Sequence, residues 1–386
     1  MTQLSARVQT LSVGAAYAAA GFFWGALAAS APAVQARAGL DPAGYGLALG
    51  VMTLAALPVM QVFGRRVGLI RPWAIPACML SFALGTAALA VAPGLPGLIL
   101  AFAILGAASG ALDISLNSRI ARIEEDTGGR LFNRMHAVFP LAMLGASAGA
   151  GWLRGEGVGL AAIFGGVTLI LVASASIERV CGRHQTPDAL PARRGTASLR
   201  GVALLFGVMA ACSAFQESSS NSWAAIFLET VRGAAPALSG LAPAAFVLGL
   251  ALGRLAAHEL EARLTARGTV TLAACLALPA FALLPHAGPV WLLLALFLVA
   301  GMGVGPIEPA VFRAVARGAD PARRGPMLAT VTSVAYMGYL LSPPILGQIS
   351  TQFGWTAMWG TAAVAAGLVA ALSRVRPASG QTGLGG

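Results

Sequence analysis

Lysine is absent from this chain of 386 residues, and charge of either sign is scarce: 25 arginines and 14 acidic side chains make 10% charged residues, where a soluble domain carries roughly 25%. That shortage excludes an ordinary soluble fold. Without lysine there is no Walker phosphate loop, so the glycine-rich runs Gly145–Gly151 and Gly301–Gly305 offer no nucleotide site, and ATP-driven transport is disfavoured. Cys78, Cys181, Cys212 and Cys275 have no CxxC spacing and lie mostly in apolar segments, where a thiol behaves as a small hydrophobe. No disulfide, no metal site and no cofactor is expected. The chain has no HExxH helix and no carboxylate pair at a fixed catalytic spacing, which argues against an intramembrane enzyme.

What is present is apolar. The composition is 57% hydrophobic with 48 glycines, and the mean hydropathy is +0.78. Glycine at this frequency suits close helix packing in lipid. The first hydrophobic stretch begins near Leu11, runs past Ala33 and leads into further spans, too long for a cleaved signal peptide. A spanning helix needs about 20 apolar residues. By that measure, punctuation by Gly, Pro and Arg divides the chain into twelve spans: 11–33, 45–63, 72–92, 97–118, 135–153, 158–177, 200–228, 240–258, 268–285, 289–312, 327–349 and 354–373. The fold class is all-α integral membrane. The longest polar segment, from Glu178 to Arg200, reads as a linker, giving a six-helix bundle over 1–177, a linker over 178–199 and a second bundle over 200–386.

Positive charge has a direction. On the twelve-span reading, 22 of the 25 arginines fall in the termini, the linker and the even-to-odd loops, leaving Arg37, Arg154 and Arg232 on the other face. By the positive-inside rule both termini and the linker are cytoplasmic, in a bacterial inner membrane. The net charge of +11 does not mark a nucleic-acid binder, because the arginines are spread over membrane-flanking loops.

The two halves repeat. A shift of 194 lays Pro42 and Gly46 on Pro236 and Gly240, and a shift of 195 lays Gly106, Gly110, Asp113 and Arg122 on Gly301, Gly305, Glu308 and Arg317. Two six-helix repeats with both termini on one side imply halves related by an axis along the membrane normal, with substrate held at their interface.

With twelve spans, a repeated half and a cytoplasmic linker, the chain resembles the major facilitator superfamily over its whole length. Phe63-Gly64-Arg65-Arg66 is similar to the end of that family's loop 2–3 signature, with Gln61 where the signature has Asp and Val62 where it has its first Arg. Gly338–Gly347 looks like the family's span-eleven stretch. Asp113 and Asn117 in span 4, His136 opening span 5, and Glu217 with Trp223 in span 7 are similar to a bacterial branch near the fucose permeases. The resemblance implies that spans 1, 4, 7 and 10 line a central cavity, with a small-molecule substrate, protons and the lipid bilayer as partners and a monomer as the unit.

Three acids lie inside spans 4, 7 and 10: Asp113, Glu217 and Glu308. A carboxylate at the bilayer centre costs roughly 2.5–3.5 kcal/mol on insertion scales, so one kept there serves an ion, a proton or a substrate. Asp113 reads either as a protonatable coupling site or as a gate pair with Arg65, Arg66 or a loop 10–11 arginine. Glu308, its repeat partner, has the same two readings. Counted from Arg119 and Arg313, Asp113 and Glu308 sit about 9 and 7 Å inward, and Glu217 about 25 Å from Arg200, so the acids are not expected to form one cluster. His136 is either a pH-sensitive latch or a solvated interface histidine. Gln216–Trp223 is too polar for hydrocarbon, and Glu217, Ser218, Asn221 and Trp223 are the substrate-site candidates, with Asn117 and Trp24. The functional expectation is a secondary transporter of a small organic, possibly sugar-like solute, coupled to protons. A proton-coupled efflux antiporter of amphipathic compounds and a non-transporting receptor or scaffold are the alternatives.

Overall fold

The computed structural model describes residues 3–66, 73–128, 131–181, 201–260, 264–318 and 321–375, and among these the backbone forms helices and no strand. Among the described residues, eleven helices are long and apolar enough to cross a membrane: Arg7–Arg37, Pro42–Phe63, Ala74–Val91, Gly94–Thr127, Arg134–Gly155, Leu160–Cys181, Val202–Val231, Pro236–Glu259, Ala266–His286, Val290–Arg317 and Arg324–Leu372. The last is 49 residues long, or about 74 Å, more than twice the roughly 30 Å of a hydrocarbon core. It cannot be one crossing. Gly354, at φ 80 and ψ 172, breaks it where spans 11 and 12 meet, giving twelve crossings. No β-carbon opposes this backbone at glycine.

Several helices outrun their apolar windows. Span 4 continues to Thr127, and span 10 is two helices, Val290–Val304 and Ile307–Gly318, broken at Gly305-Pro306. Arg119, counted above as a loop residue marking the membrane edge, instead lies within the span 4 helix and is buried. Its Nη1 faces Glu178 Oε2 at 3.4 Å, and Glu178, expected at the start of the linker, is fully buried in span 6. The depths counted from Arg119 and Arg313 therefore place Asp113 and Glu308 too near the helix ends.

The chain divides into two compact units, Met1–Ala192 with Ala235–Ala244, and Arg193–Ala234 with Ala245–Gly386. The start of span 8 thus groups with the first unit, which the boundary at residue 200 did not foresee. Within each unit the repeat recurs as geometry. In the first, a β-carbon on Gly106 would collide with the Met52 carbonyl, and one on Gly110 would come within 2.9 Å of the Ala56 oxygen. In the second, Gly301 and Gly305 stand against the Phe246 and Leu250 carbonyls in the same way. The glycines are offset by 195 and the carbonyls by 194, the two shifts read from sequence. Spans 2 and 4, and spans 8 and 10, approach backbone to backbone where only glycine fits.

A second repeated device uses two of the three arginines that the charge count set apart. Arg37 donates to the Leu89 and Ala90 carbonyls at the end of span 3, and Arg232 to the Leu284 and Pro285 carbonyls at the end of span 9. Donor and acceptors are all offset by 195. The third, Arg154, donates to the Ala29 carbonyl in span 1 at 2.8 Å. A guanidinium on the orphan carbonyls of a helix C-terminus satisfies them and opposes the negative end of the helix dipole.

Not everything repeats. The Arg119–Glu178 pair maps at 195 onto Ala314 and Ser373. There the second unit has an apolar cluster of Ala314 with Phe206, Met209 and Val270, and Ser373 shares a hydrogen bond of 2.7 Å with Thr271.

Candidate functional site

Each unit holds one polar cluster around its repeated acid. In the first unit Asp113 stands half-buried on span 4, one turn before Asn117, so that Asn117 Nδ2 donates to Asp113 Oδ1 at 3.1 Å. From span 1 the Tyr17 hydroxyl donates to Asn117 Oδ1 at 2.8 Å. From span 5 His136 lays its ring 5.3 Å from that of Tyr17, tilted by 49°, and lies within electrostatic reach of Asp113. His136 is exposed and Tyr17 buried, so the chain of contacts runs from an accessible imidazole inward. Asn117, whose bonding could not be read from sequence, is hydrogen-bonded at both ends of its amide.

In the second unit the acid is Glu308 on span 10. It lies within electrostatic reach of Glu217 on span 7 and Arg254 on span 8, and the Tyr339 hydroxyl on span 11 hydrogen-bonds the Glu217 carboxylate. Arg254 is also tied to the fold, its Nε donating to the Gly305 carbonyl at 3.2 Å. Glu217 and Glu308 therefore share one cluster, contrary to the depths counted along separate helices. Part of the error came from measuring Glu308 from Arg313, which lies inside its helix rather than at its edge.

The span-seven polar run is divided by the helix. Gln216, Ser219, Ser220 and Trp223 face into the second unit and are fully buried. Gln216 Nε2 donates to the Ala362 carbonyl at 3.0 Å, and Ser219 stands 3.4 Å from Ser342. Trp223 meets Trp355 edge-on, within an aromatic group that includes Phe227 and Trp359. Trp223 is thus a packing residue where it was expected to meet substrate, and Ser218 is buried as well. Glu217, Asn221 and Ser222 remain half-buried on the other side. The period of 3.6 explains the split, since residues 216, 219, 220 and 223 share one face. In span 1, Phe23 is buried between Trp24 and Phe82, while Trp24 is half-buried. The side chains of Arg65 and Arg66 lie outside the described residues, and with them their expected gate.

Tyr17, Tyr339 and Arg254 were not singled out in the sequence. A signal existed: the chain has 4 tyrosines, and two of them, each inside an apolar span, serve the acid clusters. Gly145-Ala-Ser147-Ala-Gly149 also has the letters of a hydrolase nucleophile turn. Ser147 is buried inside a helix and donates to the Gly240 carbonyl at 2.8 Å, so it is no nucleophile.

Comparison with known proteins gives consistent findings. The sequence profile of the Major Facilitator Superfamily matches residues 205–384. An uncharacterised MFS-type transporter of Yersinia pestis is 26% identical over 379 residues, covering 95% of each chain. An uncharacterised transporter of Sinorhizobium fredii is 26% identical, covering 94% of this chain and 97% of its own. Among solved structures, a bacterial homologue of the human lysosomal transporter Spinster superimposes with TM-score 0.76 at 14% identity over 97% of each chain. The nucleoside transporter NupG does so with TM-score 0.75 at 14% identity, over 95% of this chain and 100% of that one. At such identities the structural matches speak for the fold.

Proposed function

We propose that this chain, which belongs to the Major Facilitator Superfamily, moves a small organic solute across the cytoplasmic membrane by alternating access and couples that movement to protons through Asp113. The observation that carries this reading is the setting of Asp113. Among the described residues it has no arginine partner, and it is held by an amide and placed near an accessible histidine. A carboxyl kept in an apolar span without a fixed counter-charge is suited to gain and lose a proton. His136, exposed and in ring contact with Tyr17, is placed to pass one between it and water. Glu217, with Asn221, supplies solute contacts in the second unit, and Glu308 with Arg254 adjusts the charge beside them. Asn117 and Trp24 are the corresponding groups of the first unit.

The test begins with a ligand-stabilisation screen of the purified protein across sugars, acids, amines and amphipathic drugs, since a ligand raises apparent stability as RT ln(1 + [L]/Kd). With the solute in hand, Asp113→Asn in proteoliposomes is expected to abolish accumulation driven by a pH gradient while sparing solute exchange. Intact accumulation would remove Asp113 from the mechanism. Reporter fusions near Gly195 and at the C-terminus are expected to read as cytoplasmic, and one near Arg232 as periplasmic.

A second reading, efflux of amphipathic compounds in exchange for protons, gains from one observation. The polar run of span 7 argued against a wide apolar cavity, but four of its residues are spent inside the second unit. The direction of the pH gradient that drives accumulation in oriented vesicles separates the two.

A further inference from the structure

Asn117 sits between Asp113 and Tyr17 with a different end of its amide toward each. We propose that this amide is a polarity relay: protonation of Asp113 reverses the direction of the Asp113–Asn117–Tyr17 hydrogen bonds and so reports the proton from span 4 to the tyrosine of span 1. This rests on the reading of Asp113 as a protonatable site.

The argument is one of donor and acceptor inventory. An ionised carboxylate accepts only, so Asn117 must present its NH2 to Asp113 and its oxygen to Tyr17, whose hydroxyl then donates. That is the arrangement observed, at 3.1 and 2.8 Å. When Asp113 takes up a proton it gains an O–H donor. The amide can then turn by half a revolution about its terminal torsion, which is broad and roughly two-fold. Its oxygen accepts from Asp113, its NH2 donates to the Tyr17 oxygen, and the Tyr17 O–H is released. No covalent bond changes, and the proton stays on Asp113. The two ends of an amide are nearly the same size, so the turn needs no repacking, and the Tyr17 O–H is the one donor that must find a new acceptor.

The neighbours leave Asp113 and His136 as the groups that set this switch. Span 1 brings Tyr17, with Arg7 and Arg37 towards its ends. The described side chains of span 2 include one titratable group, Tyr45, which faces Phe102 about three turns before Asp113. Span 3 brings Cys78, hydrogen-bonded to Ser115. Span 5 brings Arg134 and His136, whose ring stands in tilted contact with that of Tyr17.

The relay is testable without a solute, by infrared difference spectroscopy of the full chain in liposomes as pH is stepped. The carboxyl C=O band of Asp113 is identified by its loss in Asp113→Asn. The ring C–O band of Tyr17, which differs between a donating and an accepting hydroxyl, is identified with ring-labelled tyrosine by its loss in Tyr17→Phe. The expected result is that both bands move with one midpoint, and that in Asn117→Ala the carboxyl band still titrates while the tyrosine band stands still. If the Asp113 band titrates and the Tyr17 band is fixed or has a different midpoint in the native chain, the relay is wrong and the reading of Asp113 survives. If no Asp113 band titrates, the coupling role itself fails and the relay with it.

Discussion

Asp113 and Glu308 hold one position in the two repeats, but the side chains gathered around them share no corresponding place. The first acid has an amide, a phenol and an imidazole; the second has another carboxylate, a phenol and an arginine. What stays constant is the scaffold. The glycine contacts of spans 2 and 4 and the arginine clamp on span 3 reappear on spans 8, 10 and 9 at fixed offsets. Duplicated packing with divergent polar content teaches that the backbone is under the stricter constraint, since a glycine against a carbonyl admits no substitute, while a half-buried acid accepts several kinds of partner.

The comparison is broken most strongly at the ion pair that only the first unit has. Arg119→Ala leaves Glu178 buried and unpaired and is expected to cost about 3–5 kcal/mol, read as a fall in the thermal unfolding midpoint in detergent. Arg119→Ala with Glu178→Ser copies the Ala314 and Ser373 of the second unit, and most of that loss should return. A double variant as unstable as the single one would show that the charges themselves hold spans 4 and 6 together. The clamps come next. Arg37→Ala and Arg232→Ala should each cost about 1.5–3 kcal/mol, the worth of hydrogen bonds to a charged group. If the repeat is energetic as well as geometric, the two losses agree within experimental error. The smallest effect is expected at Glu217, where Glu217→Gln should weaken solute binding roughly tenfold, or 1.4 kcal/mol. An unchanged dissociation constant in a folded protein would move the solute contacts to Asn117 and Trp24.

The architecture was legible because the bilayer leaves few choices: span length, arginine asymmetry and glycine offsets each follow from it. The site was legible only in its acids. Asp113 and Glu308 stood out as charges in apolar runs, whereas Tyr17 and Tyr339 did not, because a tyrosine is tolerated in such runs without a special reason. Trp223 was misread because a run of polar letters hides which of them share a helix face. Arg119 was misread because an arginine near the end of an apolar window is usually interfacial, and its buried acid, Glu178, lies about sixty residues further on.

Gly354 bears on how the protein is made. Spans 11 and 12 are continuous in helix up to this one residue, whose left-handed backbone turns the chain. A connection so short leaves no loop between spans 11 and 12, so the two are expected to enter the bilayer as a paired hairpin. Lengthening the connection with a flexible insert is expected to let them enter singly.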